Sequence, residues 1–168
     1  MITPTRSLYA VEKWITDRSE ADEACRAVLD VLDEVVTRAE VDAYSDFDEQ
    51  MPEHVREAQE SLRARGRAQR PGKHDPGMFV AVSRNDSDGW CLVQTYASWS
   101  INVALYADGV RSIAILHDCG YSITAQLTPT EVALLTERLQ HLGAVVMLPT
   151  SRKRWWPFAR QHANGRLG

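Results

Sequence analysis

Three side chains that could bind a metal ion or act in catalysis follow one another at His117, Asp118 and Cys119. A metal site would need two further ligands, such as Cys91 or His74, and the sequence has no CxxC, HxxxH or HExxH spacing. A Cys119 nucleophile would need a nearby base and an orienting polar group. His117 shares a strand face with Cys119 whatever its role, because residues i and i+2 of a strand do so. We therefore interpret the triplet as a turn, and we predict no catalytic residue, no metal and no cofactor.

Acidic side chains dominate residues 17–60, which carry 15 Asp or Glu and only 4 Arg. Within them, DAYSDFDEQ (residues 42–50) places two aromatic residues among acids and lacks the turn glycine of a calcium loop. One interpretation is a solvated connector. The other is an acidic surface that docks a basic partner, because complementary charge raises association rate and specificity and an aromatic side chain can anchor an interface. The candidate partner-binding residues are Tyr44, Asp46, Phe47, Asp48 and Glu49.

A basic segment follows at residues 63–73, which contain four Arg and one Lys. These cations could follow the phosphates of a nucleic acid. The segment contains no aromatic residue and matches no nucleic-acid-binding motif, so a flexible linker is the alternative interpretation.

A second basic segment, residues 151–168, has five cations and no acid, and it contains the stretch SRKRWWPFAR. Cations and indole rings suit an anionic membrane surface or single-stranded nucleic acid. The tail could also fold back onto the acidic residues 17–60. The candidate residues for nucleic-acid or membrane contact are Arg152, Lys153, Arg154, Trp155 and Trp156.

Length and composition indicate the class of protein. A chain of 168 residues favours one domain, here residues 1–150, followed by the basic aromatic tail 151–168. No apolar run approaches the roughly 20 residues that a transmembrane helix needs, and the first residues contain no apolar signal segment. Three cysteines form an odd and sparse set, which favours a reducing compartment. We therefore predict a cytoplasmic protein without a transmembrane segment.

The first half of the chain predicts a strand followed by two helices, which would position these residues. Residues 7–16 predict a strand, with a helical turn as the alternative because Leu8, Val11 and Ile15 also lie at helical spacing. Ser19 begins a helix whose apolar spacing continues to about residue 41. A second helix is predicted from Pro52 to Gly66, and residues 67–77 form a loop by composition.

The second half predicts a sheet followed by a helix. Strands are expected at 78–84 and 90–97, then on both sides of the turn pair Asp108-Gly109, and again after residues 118–120. Thr128, Pro129 and Glu131 are typical of a helix start, and 144–148 could add a final strand.

Strands in a run with helices around them predict an α+β fold, an antiparallel meander of about five strands with two or three helices mainly on one face. Charge segregation without a catalytic motif favours a non-enzymatic protein-binding module. It would be an inhibitor or immunity-type protein that covers a basic partner with its acidic N-terminal third. The alternatives are a nucleic-acid-binding protein that uses residues 63–73 and 152–160, and an enzyme with dispersed catalytic residues.

Overall fold

The fold contains seven strands and four helices in the part of the chain that the structure describes. A computed structural model describes residues 5–11, 15, 17–72, 74–108, 112–142 and, for the backbone alone, 147–149. The strands are β1 (Ser7–Val11), β2 (Arg38–Val41), β3 (Val80–Ser83), β4 (Asn102–Tyr106), β5 (Ser112–His117), β6 (Ser122–Leu127) and β7 (Met147–Pro149). The helices are α1 (Arg18–Val31), α2 (Glu53–Gln69), α3 (Ser87–Tyr96) and α4 (Pro129–Leu139).

All seven strands join one antiparallel sheet in the order β3-β2-β4-β5-β6-β1-β7. Only β4, β5 and β6 of the predicted five-strand meander follow one another in the sheet, and β3, the strand predicted at 78–84, pairs with β2 instead. Strand β2 lies beside β4, and β1 lies beside β6. The α+β class is therefore confirmed. The sheet has more strands than the five predicted, because two strands come from the N-terminal third and one from the C-terminal side of α4.

One face of the sheet carries the core. Val41 pairs with Val103, Val103 with Leu116 and Leu116 with Ile123, and each of these side chains is buried. Their strand neighbours one residue away point to the opposite face, which has mixed burial. The buried row joins apolar residues from every helix in a single cluster, which includes Leu29, Leu62, Val93 and Leu135. The four helices therefore cover this apolar face of the sheet.

Helix α1 is shorter than predicted. Asp17, rather than Ser19, is its N-cap, and the Asp17 carboxylate accepts a hydrogen bond from the Glu20 N–H at 2.8 Å. The helix ends at Val31, and residues 38–41 form β2 instead of its last turn. The helical prediction was wrong there because the apolar spacing continued past the turn. The burial along β2 alternates as a strand requires.

Residues 90–96 lie in helix α3 and Ala97 begins the short 3-10 helix that follows, so the predicted strand at 90–97 was wrong. Asp86 caps this helix by accepting a hydrogen bond from the Gly89 N–H at 2.9 Å. The buried positions Trp90, Val93 and Ala97 recur at helical spacing. The β-favouring composition of this segment misled the prediction, because tertiary packing overrides local propensity.

Helix α2 runs through Gly66, where the sequence predicted its end. A side chain at Gly66 would lie 1.7 Å from the carbonyl oxygen of Pro76 and 3.0 Å from a methyl carbon of Val80. The glycine is therefore required by the close approach of the loop before β3 and does not mark a helix terminus.

Helix α4 confirms the prediction at the C-terminal side. Thr128 accepts a hydrogen bond from the Glu131 N–H at 3.3 Å, and the Glu131 carboxylate accepts one from the Thr128 N–H at 2.8 Å. This capping box begins α4 at Pro129. Strands β4 and β5 also pair antiparallel, as the hairpin prediction required, and Gly109 of the predicted turn pair lies outside the described residues.

Candidate functional site

The corner at His117, Asp118 and Cys119 is a structural turn. Asp118 and Cys119 have φ values of 52° and 55°, and their N–H groups donate to the carbonyls of Ile101 at 3.1 Å and Ser100 at 3.0 Å. His117 is exposed, whereas Cys119 is buried. Burial, the largest influence, raises the pKa of the Cys119 thiol, which disfavours the thiolate that nucleophilic attack requires.

A second buried thiol lies beside this corner. Cys25 of α1 approaches Gly120 so closely that a side chain there would lie 2.7 Å from the Cys25 sulfur. Burial raises the pKa of Cys25 to about 12. Among the described residues, no group of three or more His, Cys, Asp or Glu side chains is placed to hold a metal ion. The two thiols therefore fill the junction between α1 and the corner as small apolar groups.

The acids of α1 and of the turn after it are largely neutralised within the chain. Three ion pairs account for most of this: Asp22–Arg26 at 3.0 Å, Asp30–Arg138 at 2.8 Å and Asp33–Arg84 at 2.7 Å. The Glu23 carboxylate also lies 2.5 Å from the His141 ring nitrogen Nε2. Two of the partners come from α4 and its end, and one comes from the turn after β3. The negative charge of residues 17–60 is thus reduced where the helices meet.

A stretch that we call the acidic segment, residues 46–57, keeps its negative charge. It contains five acids and one Arg. All five acids are exposed, and none of them has an ion-pair partner among the described residues: Asp46, Asp48, Glu49, Glu53 and Glu57. The segment includes four of the five predicted partner-binding residues, all except Tyr44.

The first part of the acidic segment, residues 46–52, is held against α2, which contains the rest of the segment. The Gln59 amide donates to the Asp48 carboxylate at 3.1 Å and to the Tyr96 hydroxyl at 2.9 Å, and both Gln59 and Tyr96 are buried. The Arg56 guanidinium donates to the carbonyls of Asp48 and Met51, each at 3.3 Å. Asp48 is therefore a structural residue as well as a surface charge.

Phe47 belongs to a cation–aromatic cluster that sequence reasoning missed. The guanidinium carbon of Arg18 lies 5.3 Å from the Phe47 ring centroid, 4.5 Å from that of Trp99 and 5.4 Å from that of Tyr121. Arg18 also donates to the carbonyls of Cys119, at 2.5 Å, and Ser98. The half-buried Phe47 ring thus fixes the start of the acidic segment, and no local pattern could reveal contacts between such distant residues.

Tyr44 lies against the loop before β3. Its hydroxyl donates to Asp75, its ring contacts Gly77, and the Arg63 guanidinium carbon lies 5.0 Å from its centroid. The structure therefore brings Tyr44 to the basic half of α2, whereas the other four predicted residues begin the acidic segment.

The loop before β3 presents an exposed aromatic residue that was not predicted. The side chain of Phe79 is 54% exposed, and its φ is 52°, a conformation that costs a bulky residue on the order of 1–3 kcal/mol. Its N–H donates to the Asp42 carboxylate at 2.8 Å. Burial raises the pKa of Asp42, which is only 4% exposed.

A groove of about 600 Å³ lies between α1 and the adjoining ends of α2 and α3. Its apolar lining includes Leu29, Val55 and Trp99. The Asp22 carboxylate in its wall pairs with Arg26 and accepts a hydrogen bond from the Ser98 hydroxyl at 2.8 Å. The charges of this wall are thus satisfied within the chain.

The predicted tail residues Arg152, Lys153, Arg154, Trp155 and Trp156 lie outside the described residues, as does Lys73 of the basic segment 63–73. None of the described helices is long and apolar enough to cross a bilayer. No protein family, no curated protein and no solved structure matches this chain. Function must therefore be argued from its own residues.

Proposed function

We propose that the protein is a non-enzymatic binding module whose acidic segment docks a basic surface of a partner protein, as an inhibitor or immunity-type protein would. The observation that supports this proposal is the contrast in ion pairing. The acids of α1 find cations within the chain, whereas the five exposed acids of residues 46–57 have no ion-pair partner among the described residues. Unpaired surface charge of one sign steers an oppositely charged partner and selects against others.

The way the acidic segment is supported favours binding as well. The Arg18 cluster holds Phe47, and the Gln59 amide and Arg56 guanidinium hold Asp48. A surface that is already ordered loses less conformational entropy when a partner binds. The acids therefore act as a preformed electrostatic template, and Phe47 contributes by fixing its position.

Charge reversal can test the acidic segment without disturbing its support. Asp46 and Glu49 are exposed and make no side-chain hydrogen bond or ion pair among the described residues, in contrast to Asp48. The double variant Asp46→Lys/Glu49→Lys changes the net charge by the same amount as Glu34→Lys/Glu137→Lys, whose exposed acids lie elsewhere. The second variant is therefore a matched control.

Binding should be measured with a panel of folded basic proteins, including nucleases, and with a fluorescent Arg- and Lys-rich peptide. We expect at least one folded basic protein to bind, with an affinity that falls as salt rises. The Asp46→Lys/Glu49→Lys variant should lose about tenfold or more in affinity, and the control about twofold or less. Equal losses in both variants, or no binding by any folded basic protein, would refute the proposal.

A further inference from the structure

The groove between α1, α2 and α3 adjoins the acidic segment, because Pro52, His54 and Val55 belong to both. Its volume of about 600 Å³ lies within the range of pockets that hold a small molecule, so a bulky side chain fits into it. Its floor is apolar, with the buried residues Leu29 and Val55 beside the half-buried Trp99. A concave apolar surface therefore lies next to the exposed acids.

The charged side chains that α1 contributes to the groove have partners within the chain. Arg18 donates to two backbone carbonyls. Asp22 pairs with Arg26 at 3.0 Å, and Asp30 pairs with Arg138 at 2.8 Å. A charged group that entered the groove would lose its hydration and find no unpaired opposite charge among these residues. The groove therefore favours an apolar side chain.

The rim of the groove carries unpaired negative charge. Glu57 follows the groove residue His54 by three positions on α2, and Asp88 precedes the groove residue Cys91 by three positions on α3. Residues three apart in a helix are neighbours on its surface, so both carboxylates lie beside the groove. Both acids are exposed, and neither has an ion-pair partner among the described residues. A partner that covers the groove therefore meets negative charge on two sides.

We propose that the groove binds a tryptophan or another large apolar side chain, which a basic partner protein presents between Lys or Arg residues. The apolar side chain lies against Trp99, and its basic neighbours pair with Glu57 and Asp88. A desolvated apolar anchor with a polar rim is the usual arrangement of the residues that contribute most to the affinity of an interface. The inference rests on the proposed function, because it specifies the chemistry of the partner that the acidic segment attracts.

The test uses two short Lys-rich peptides that differ only at one central position, which is Trp in the first and Ala in the second. Fluorescence anisotropy of each labelled peptide with the full chain measures its affinity. We expect the Trp peptide to bind about ten- to a hundredfold more tightly, the gain that burial of a large apolar side chain gives. No binding of the Trp peptide, or equal affinities of the two peptides, overturns the proposal.

Cys91 allows the groove to be blocked selectively. It is exposed, whereas the other two cysteines of the chain are buried, so N-phenylmaleimide should label Cys91 alone and occupy the groove. The affinities of the labelled chain for the Trp and Ala peptides should then differ by about twofold or less. In the control Cys91→Ser/Thr136→Cys, the label is attached to an exposed position of α4 outside the groove, and the preference for Trp should persist. A preference that survives labelling of Cys91, or that the labelled control loses equally, refutes the proposal.

The same peptides distinguish failure of this inference from failure of the proposed function. If Asp46→Lys/Glu49→Lys leaves both affinities unchanged but labelling of Cys91 removes the preference for Trp, docking by the acidic segment is wrong and the groove inference stands. If charge reversal weakens both peptides and they bind alike, the groove inference is wrong and the acidic segment stands. N-acetyltryptophanamide carries the indole ring without cations and should compete poorly. Competition equal to that of the Trp peptide would show that the groove binds a small molecule, and the inferred partner side chain would be wrong.

Discussion

Replacing Gly66 with alanine tests whether tertiary packing or local helix propensity decides which residue is stable at this position. Gly66 lies inside α2, where an alanine side chain would be 1.7 Å from the Pro76 carbonyl oxygen and 3.0 Å from a methyl carbon of Val80. Real contacts of this kind are wider than 3.0 Å, so the carbonyl would have to move by more than an ångström. The obstructing atom belongs to the backbone and cannot rotate away as a side chain would.

The magnitude follows from two opposing effects. In an exposed helix, alanine stabilises the folded state by about 1 kcal/mol relative to glycine. Overpacking a close contact costs about 1–3 kcal/mol or more, and the Pro76 approach is severe enough for the upper end of that range. We therefore expect Gly66→Ala to lower the free energy of unfolding by about 2 kcal/mol. For a chain of this size, the melting temperature should fall by about 4–8 °C.

Urea denaturation followed by tryptophan fluorescence measures this change. Ser61→Ala, at an exposed position of the same helix, is the matched control and should alter the free energy of unfolding by about 0.5 kcal/mol or less. If Gly66→Ala is as stable as the wild type or more stable, the close approach of α2 to Pro76 is refuted, and local propensity alone describes the position.

Two further variants test the residues that hold Phe47 and Phe79 in place, Arg18 and Asp42. Arg18→Lys should destabilise the fold by about 2–3 kcal/mol in urea denaturation. A lysine cannot reproduce both carbonyl hydrogen bonds of Arg18 and its stacking on Phe47 and Trp99. The control Arg26→Lys changes an exposed ion pair and should cost less than about 0.5 kcal/mol. Equal effects of the two substitutions would contradict the cluster. Because burial raises the folded-state pKa of Asp42 above 3.8, wild-type stability relative to Asp42→Asn should be greatest below about pH 3.8 and should decrease as the pH rises through the raised value. A stability difference that is constant with pH would show that Asp42 is not desolvated.

The accuracy of sequence reasoning varied along the chain for identifiable reasons. The start of α4 was predicted correctly because Thr128 and Glu131 satisfy each other's backbone groups over three residues, which is a purely local arrangement. The end of α1 and the nature of residues 90–97 were predicted wrongly. In both places a short apolar pattern is compatible with helix and strand, and only packing against the sheet decides between them.

The candidate surfaces likewise combine features that are visible in the sequence with features that depend on long-range contacts. The charge segregation between residues 17–60 and the basic segment 63–73 is visible in the sequence, and four residues of the acidic segment were candidates on that ground. Which acids remain unpaired depends on contacts such as Asp30–Arg138, between residues 108 positions apart. The exposure of Phe79 depends equally on Asp42, 37 residues away.

The sequence by itself determined the α+β class, the capped helix α4, the β4–β5 hairpin and the uneven distribution of charge, because each follows from side chains that are close in the chain. Tertiary structure alone decided where α1 ends, that α3 is a helix, why Gly66 is a glycine and which charged or aromatic side chains face solvent. Those properties depend on which distant residues the antiparallel sheet brings together, and pairing across the sheet leaves no local pattern from which it can be inferred.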